Sequence, residues 1–437
     1  MVLDFSNIFV LIYLIGSCVT FVLHQVLEYI DYSARKKNGG VVPEEIRDIE
    51  AAKCFDSEKL KKITEYENEK YFLYIPSSIL GFVLSISLVL FGFFPWMFKW
   101  VSGFSFITEN SFLHIFIVSI LIGIPEAVIS IPFDIYRNFK LEKKYGFSNM
   151  TPKIWIIDQI KGIVLSLIIS AILVFAITFI LNRFTNNWWI LVSAVMIGFS
   201  LIIMIIYPKF IAPLFNKFSP LEEGELKTKL EELLSKTGFV NDGLFVMDAS
   251  KRSNHSNAYF SGFGKTKRIV LYDTLIKQLT ADELVAVLGH ELGHYKLKHI
   301  VKRMCVLLPL EFVMMFVLYL LSQNVSLYTS FGFDFVNGTN IAGYQIIGLY
   351  LASMLYDAVS VIVTPLSGMS SRRDEYQADR YAKEICGTPD NLISGLIKLN
   401  SENLSELLPP KIYSFFMYSH PTLVERVRAL RELGIRN

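Results

Sequence analysis

The sequence predicts an α-helical membrane protein with seven transmembrane helices and polar segments that include a small β-hairpin. Hydrophobic residues fill 52% of its 437 positions, and the mean hydropathy of +0.43 is too high for a soluble protein of this size. Several stretches reach the roughly 20 mostly apolar residues that a helix needs to cross the hydrocarbon core. The formal net charge is only +2, so no overall field indicates a nucleic acid partner.

The predicted spans differ in strength, and the first is the weakest. Ser17, Thr20 and His24 interrupt it, but no Lys or Arg precedes it as in a signal peptide, so we interpret it as a retained span. Glu126 is costly in hydrocarbon and is expected either to line a cavity or to make an interhelical hydrogen bond. The spans cover Ile8–Glu28, Phe72–Phe98, Phe112–Phe133, Gly162–Leu181, Trp188–Tyr207, Met304–Leu321 and Ile341–Val363.

The basic residues of the loops predict the orientation. Residues 31–71 contain nine Lys or Arg and residues 134–161 contain six, whereas the alternate loops hold only Lys99, Arg183 and, between the last two spans, none. Because Lys and Arg are retained on the cytoplasmic side, the N-terminus is predicted outside or in the lumen and the C-terminus in the cytoplasm.

This topology divides the chain into four regions. Residues 1–207 hold the first five helices with their cytoplasmic loops, and residues 304–363 form a hairpin of the last two helices. The long polar segments 208–303 and 364–437 both fall on the cytoplasmic side. We expect these two segments to fold together as one catalytic unit, because the chemistry below draws residues from both.

A metal-binding motif ends a predicted helix over residues 281–294. His290 and His294 are four residues apart and share a helix face, so both rings can reach one ion. Glu291 lies beside the first histidine without taking a coordination position. This is the HExxH arrangement of zinc proteases. A surface helix with solvated histidines is the alternative, but apolar neighbours such as Val287 favour a buried helix.

The start of this helix is also readable in the sequence. Thr280 is a plausible N-cap, and Glu283 stands three residues later as its capping-box partner. The helix is therefore predicted to begin at Ala281.

The third ligand has to come from elsewhere in the chain. A metzincin would have Gly at position 296 and His at position 300, where this chain has Lys296 and Ile300, so that class is excluded. His299 is one residue out of register and is predicted to be structural or interfacial. Glu375, in the second polar segment, is the better candidate, and Asp374 is the alternative ligand.

The segment around Glu375 is predicted to be helical. Asp379 lies four residues later on the same face, so it can accept the ring N–H of a ligating histidine and fix its tautomer. The small side chain of Ala378 would let this helix approach the HExxH helix closely. An ordinary charged helix with i,i+4 pairs remains the alternative.

Two histidines and a carboxylate leave the fourth position of a zinc ion open, as a catalytic site requires. Glu291 is then placed to take a proton from the attacking water and to deliver it to the leaving amine. His420 is the strongest remaining candidate for a donor to the oxyanion, with Arg426 as a supporting positive charge. A structural His-Pro turn at His420 explains the same residues equally well.

Two predicted strands, Ser256–Gly262 and Arg268–Asp273, precede the HExxH helix. An extended peptide could add to such an edge through main-chain hydrogen bonds, which would place its scissile carbonyl at the metal. Asn257 and Ala258 are the candidates for this contact. A hairpin that only supports the helix is equally compatible with the pattern.

In these residues and in their order along the chain, the sequence resembles the CAAX prenyl protease 1 family of integral membrane HExxH metalloproteases. The resemblance covers nearly the whole chain and includes each metal and catalytic position. It rests on these segments: His290-Glu-Leu-Gly-His294, Glu375-Tyr-Gln-Ala-Asp379, Ser419-His-Pro421, Lys144-Tyr-Gly-Phe-Ser148, Ile211-Ala-Pro-Leu-Phe-Asn-Lys-Phe218 and Lys251-Arg-Ser-Asn-His-Ser-Asn-Ala-Tyr-Phe260.

The resemblance implies more than the residues predict. It implies a barrel of seven helices around a large hydrated chamber, with a zincin-like unit that holds one Zn²⁺ per chain and faces the chamber from the cytoplasmic side. The implied substrates are prenylated CAAX proteins, which lose their last three residues. The implied membrane is the endoplasmic reticulum in a eukaryote or the inner membrane in a bacterium, and no oligomer is required.

Two other functions are compatible with the sequence. One is a general quality-control zinc protease that acts on unprenylated membrane proteins. The other is a non-catalytic transporter or scaffold with a structural metal, although a structural zinc has no need of the neighbouring base Glu291.

Overall fold

A computed structural model describes residues 3–184, 186–239, 243–261, 268–334 and 341–435. Helices dominate this part of the chain and a small sheet lies between the fifth and sixth spans. The helices are α1 (Ile8–Asn38), α2 (Glu44–Arg47), α3 (Ser57–Leu90), α4 (Phe93–Ser102), α5 (Ser105–Thr108), α6 (Ser111–Tyr136), α7 (Glu142–Lys144), α8 (Pro152–Arg183), α9 (Trp188–Ile206), α10 (Ala212–Phe215), α11 (Glu225–Thr237), α12 (Asp273–Gln278), α13 (Ala281–Lys296), α14 (His299–Ser322), α15 (Val325–Ser330), α16 (Ile341–Met354), α17 (Asp357–Cys386), α18 (Asp390–Glu402), α19 (Lys411–Met417) and α20 (Leu423–Ile435). The strands are β1 (Phe218–Pro220), β2 (Leu244–Met247), β3 (Ala258–Ser261) and β4 (Arg268–Tyr272).

The predicted spans are confirmed as long apolar helices. Six helices of the described chain are long and apolar enough to cross a membrane, and α16 with α17, bent by 62° at the break between them, gives a seventh when the pair is counted as one span. Single π-helical segments continue α6 into α7 and α9 into α10, so each of these helices extends past its predicted span. Glu126, on α6, is exposed rather than packed between helices.

The predicted end of the second span at Phe98 is wrong. The helix α3 stops at Leu90, and Gly92 adopts φ +64° before the separate helix α4 begins. Glycine tolerates this left-handed conformation without steric cost, so it can break an apolar run that otherwise reads as one helix.

The seven spans form a ring. Packing contacts connect α1 to α3, α3 to α6, α6 to α8, α8 to α9, α9 to α14 and α14 to α16, and α17 returns to α1. In the most apolar part of α14 no residue is buried, and α16 also contacts α6 and α8. The closed ring agrees with a barrel around a chamber.

The predicted hairpin is confirmed and belongs to a larger sheet. The strand order is β1-β2-β4-β3, with β3 antiparallel to β4 and β2 parallel to it. Gly262, the predicted end of the first strand, lies outside the described residues. The strands β1 and β2 were not predicted, because three or four residues are too few to show a two-residue period. The strand β3 forms an edge of the sheet beside α13.

The helices α13 and α17 pack closely against each other. A Cβ atom built on Gly293 would lie 2.8 Å from the Cα atom of Ala378, and Ala378 is fully buried. The two backbones can therefore approach this closely only because one residue has no side chain and the other has a methyl group. This crossing brings the second half of α17 against the HExxH residues.

We expect Gly293→Ala to destabilise the protein by about 1–3 kcal/mol, since the added methyl group has to push the two helices apart. The melting temperature and the affinity for the metal should both fall. Gly395→Ala is the matched control, because a Cβ atom there meets Val287 at an ordinary 3.5 Å. Equal melting temperatures for the two variants would contradict a tight crossing at Gly293.

Candidate metal centre

The start of α13 is fixed by a complete capping box. The hydroxyl of Thr280 accepts from the backbone N–H of Glu283, and the Glu283 carboxylate accepts from the backbone N–H of Thr280. Glu283 is buried and also accepts from Ser394 and Lys398 of α18 at 2.5 and 2.8 Å. The predicted cap is confirmed, and it ties the helix to its neighbour about two turns before the motif.

His290, His294 and Glu375 converge on one point. The Nε2 atoms of the two histidines are 3.2 Å apart, and they lie 3.4 and 3.2 Å from the two Glu375 carboxylate oxygens. Tetrahedral ligands at about 2.0–2.1 Å from a zinc ion are about 3.3–3.4 Å from one another. The spacing and chemistry of the three side chains therefore fit a four-coordinate zinc ion. Among the described residues, these three form the one group of His, Cys, Asp or Glu side chains whose ligand atoms lie close enough together to hold a metal ion.

His290 is oriented by a buried ion pair. Its Nδ1 atom is 2.7 Å from Oδ1 of Asp379, and Arg426 donates to both oxygens of that carboxylate at 2.6 and 2.9 Å. Asp379 is almost fully buried. An ionised aspartate can only accept, so the His290 proton is on Nδ1 and the Nε2 lone pair faces the metal position. Arg426 in turn compensates the charge of the carboxylate.

His294 has a different partner, which the sequence did not predict. Its Nδ1 atom is 3.0 Å from Nδ1 of His299, and the Nε2 atom of His299 is 3.2 Å from the Gln377 side-chain oxygen. The predicted alternative ligand Asp374 lies 3.7 Å from the same ring of His299 and 3.5 Å from Arg303, away from the point where the three ligands converge.

A cleft of about 280 Å³ opens over the three converging side chains. Glu291 lines this cleft, and burial raises the pKa of its carboxyl group. A raised pKa suits a group that takes up a proton during a reaction. The other lining residues are Ser256, Asn257, Ala258, Leu275, Val287, His290, His294, Glu375, Leu392, Leu396, Leu399, His420 and Arg426.

His420 faces the cleft from the C-terminal segment. Its Nε2 atom is 3.5 Å from Oε1 of Glu375, and its Nδ1 atom is 2.9 Å from the Ser419 hydroxyl. The loop is held by Arg372, which donates to the carbonyl of Tyr418 at 2.5 Å. The structure therefore brings His420 to the metal centre on a turn that is itself anchored to α17.

Asn257 and Ala258 border the cleft at the edge strand β3. The backbone carbonyl of Asn257 accepts from Tyr272 of β4 at 3.1 Å, which fixes the strand from its inner side. The Asn257 side-chain oxygen accepts from the N–H of Ala258 at 2.8 Å. A peptide that adds to this edge and accepts from the Ala258 N–H would therefore have to displace the Asn257 side-chain oxygen.

His255 anchors the same strand, and sequence reasoning missed it. Its ring contacts Asn403 at 3.0 Å and Glu142 at 3.2 Å and stacks on Phe147 at a centroid distance of 4.0 Å. These partners come from the loop after the third span and from the C-terminal segment. The cluster of histidine, serine and asparagine residues before β3 was the available signal, but a lone histidine in a polar run does not identify its partners.

Comparisons with known proteins agree with this geometry. Residues 31–217 match the family model described as CAAX prenyl protease N-terminal, five membrane helices, and residues 220–434 match peptidase family M48. The chain is 38% identical over 381 residues to the CAAX prenyl protease 1 homolog of Arabidopsis thaliana, covering 85% of this chain and 87% of the relative. It is 40% identical over 315 residues to CAAX prenyl protease 1 of Saccharomyces cerevisiae, covering 69% of each.

A solved structure extends the similarity to the whole fold. The crystal structure of S. mikatae Ste24p superposes with a TM-score of 0.89 at 33% sequence identity, covering 97% of this chain and 99% of that one. The family models, the relatives and the superposition thus cover both the segment with the first five membrane helices and the segment that contains His290, His294 and Glu375. This chain belongs to peptidase family M48, together with the CAAX prenyl proteases.

Proposed function

We infer that the chain is an integral membrane metalloendopeptidase that removes the C-terminal tripeptide from prenylated CAAX proteins. One observation carries this inference: His290, His294 and Glu375 converge beside Glu291 in a chain whose relatives along most of its length are CAAX prenyl proteases. The membrane helices fit a substrate that is anchored in the bilayer by its lipid.

We propose that the metal is one zinc ion per chain. The 3.2–3.4 Å separations of the three ligand atoms suit a tetrahedral ion, and the imidazole and carboxylate ligands suit zinc. When bound, the zinc ion supplies Lewis acidity and lowers the pKa of a coordinated water toward about 7.

The side chains around the metal then have distinct proposed roles. Glu291 accepts the proton of the attacking water and passes it to the leaving amine. Asp379 and Arg426 hold His290 with its Nε2 lone pair toward the metal. We assign the Ser419 hydroxyl as the donor to Nδ1 of His420, which puts the ring proton on Nε2, facing the cleft beside Glu375, where it could donate to the oxyanion.

We propose that the substrate binds as an added strand along β3. The edge position of β3 and its place at the cleft support this mode of binding. Asn257 and Ala258 would contact the peptide backbone, so recognition there would depend on main-chain groups rather than on the substrate sequence.

We also propose that segments 208–303 and 364–437 form one catalytic unit on the cytoplasmic side, with the N-terminus on the opposite side of the membrane. Two contacts support this arrangement, because they join the second of these segments to residues 31–71, which carry many of the basic residues. Arg431 pairs with Asp48 at 2.8 Å, and Arg35 donates to Glu406 at 2.8 Å. For a eukaryotic cell we propose the endoplasmic reticulum membrane, where these loops would face cytosolic prenylated proteins.

A farnesylated CAAX peptide tests the substrate assignment. Burying even a few methylene groups of the lipid contributes about 0.8 kcal/mol each, so we expect kcat/KM to exceed that of the S-methylated peptide by at least about tenfold. The measurement is release of the tripeptide by detergent-solubilised protein, with the Glu291→Gln variant as the background. Equal rates for both peptides would favour the quality-control protease instead.

A further inference from the structure

The junction between α13 and α14 turns the chain sharply at Lys298. The helix α13 ends at Lys296 and α14 begins at His299, and Lys298 between them adopts φ +58°, one of two positive φ values among the described residues other than glycine. On one continuous helix, residues five apart would point to different faces. The turn instead folds the His299 ring back against His294.

His299 is buried at this turn and bonded on both ring nitrogens. Its relative exposure is 2%. Nδ1 lies 3.0 Å from Nδ1 of His294, and Nε2 lies 3.2 Å from the Gln377 side-chain oxygen. Gln377 is on α17, two residues after Glu375, so this chain of contacts joins the two helices that supply the metal ligands.

The contacts define where the protons lie. The Nε2 atom of His294 faces His290 and Glu375 at 3.2 Å each, so its lone pair is needed for the metal and its proton is on Nδ1. The Nδ1 atom of His299 must then accept that proton's hydrogen bond. The proton of His299 is on Nε2, which donates to Gln377.

We propose that His299 is a positioning residue of the metal centre, which holds His294 in the metal-binding tautomer and orientation through its Nδ1 acceptor. It does for His294 what Asp379 does for His290, with a neutral ring in place of a carboxylate. The proposal rests on the metal site proposed above. It assigns to His299 a role that its position outside the HExxH motif does not indicate.

The decisive comparison is His299→Leu against His299→Asn, with zinc affinity measured by chelator competition. The leucine fills the space but leaves the buried His294 N–H without an acceptor, and loss of such a partner typically weakens metal binding by about 10–100-fold. The asparagine side-chain oxygen can occupy the place of Nδ1 and accept the same hydrogen bond. We therefore expect its zinc affinity to stay within about threefold of wild type, well short of the loss expected for the leucine variant. The visible spectrum of the cobalt-substituted protein should change in the leucine variant alone.

His114→Leu controls for the loss of a buried histidine as such. His114 is also buried, but it lies near the start of α6 and contacts Ser102 of α4. We expect the zinc affinity of the His114→Leu variant to equal that of the wild-type protein.

Wild-type zinc affinity in His299→Leu would overturn the proposal, and so would an equal loss in the leucine and asparagine variants, which would indicate a packing role. If His299→Leu does not fold, the double variant Asp374→Ala/Gln377→Leu decides, because it removes both acceptors that the Nε2 atom of His299 faces, at 3.7 and 3.2 Å. Unchanged zinc affinity in that variant would also overturn the proposal. Failure of the metal site itself is distinguishable, since the wild-type protein would then bind no zinc.

Discussion

Glu291→Gln is expected to lower kcat by about 10²–10⁴-fold, which is the usual contribution of a general base, while zinc stays bound. The amide has nearly the shape of the carboxylate but cannot take a proton. The metal ligands do not include Glu291, so the site should remain intact. The measurements are kcat on the farnesylated peptide and the zinc content of the purified variant.

Asp282→Asn is the matched control for this experiment. Asp282 lies in the first turn of the same helix, exposed and paired with Lys229, and its neutralisation should leave kcat unchanged. A Glu291→Gln protein that keeps its zinc and its full rate of proteolysis would contradict the proposed base and would favour a scaffold with a structural metal.

Glu375→Ala is expected to abolish both zinc binding and proteolysis. Loss of a residue that only hydrogen-bonds to a metal ligand weakens metal binding by about 10–100-fold. Removal of a direct ligand should weaken zinc binding by more than this. Wild-type protein stripped by a chelator should regain its activity when zinc is added back. The variant should not, and metal analysis should find far less than one zinc per chain.

Two neighbouring acids sharpen this test. Glu384→Ala removes an exposed carboxylate from the same helix and should retain zinc and activity. Asp374→Ala removes the other ligand that the sequence allowed. If Asp374→Ala lost the metal and Glu375→Ala retained it, the proposed ligand set would be wrong.

The spans were predictable because each carries its own signal. A run of about 20 apolar residues is required wherever a helix crosses hydrocarbon, and it can be recognised without knowledge of its neighbours. Boundaries were less certain where an apolar run continues through a break, as between α3 and α4 at Gly92. The bend between α16 and α17 was not predicted, since both sides of it are apolar.

The sequence by itself determined the local parts of the metal centre. The capping box at Thr280, the shared face of His290 and His294, and the shared face of Glu375 and Asp379 all follow from the 3.6-residue period of a helix. Such features depend only on separations of three or four residues, so they can be identified from the sequence alone.

Only the tertiary structure decided which groups from different elements meet. Glu375 reaches the two histidines because Gly293 and Ala378 let α13 and α17 cross closely, and His299 reaches His294 because the backbone reverses at Lys298. Neither the helix crossing nor the chain reversal is marked by a repeating pattern of residues in the sequence. Each depends on a backbone conformation and on contacts between distant residues, and these are set by packing rather than by local preference.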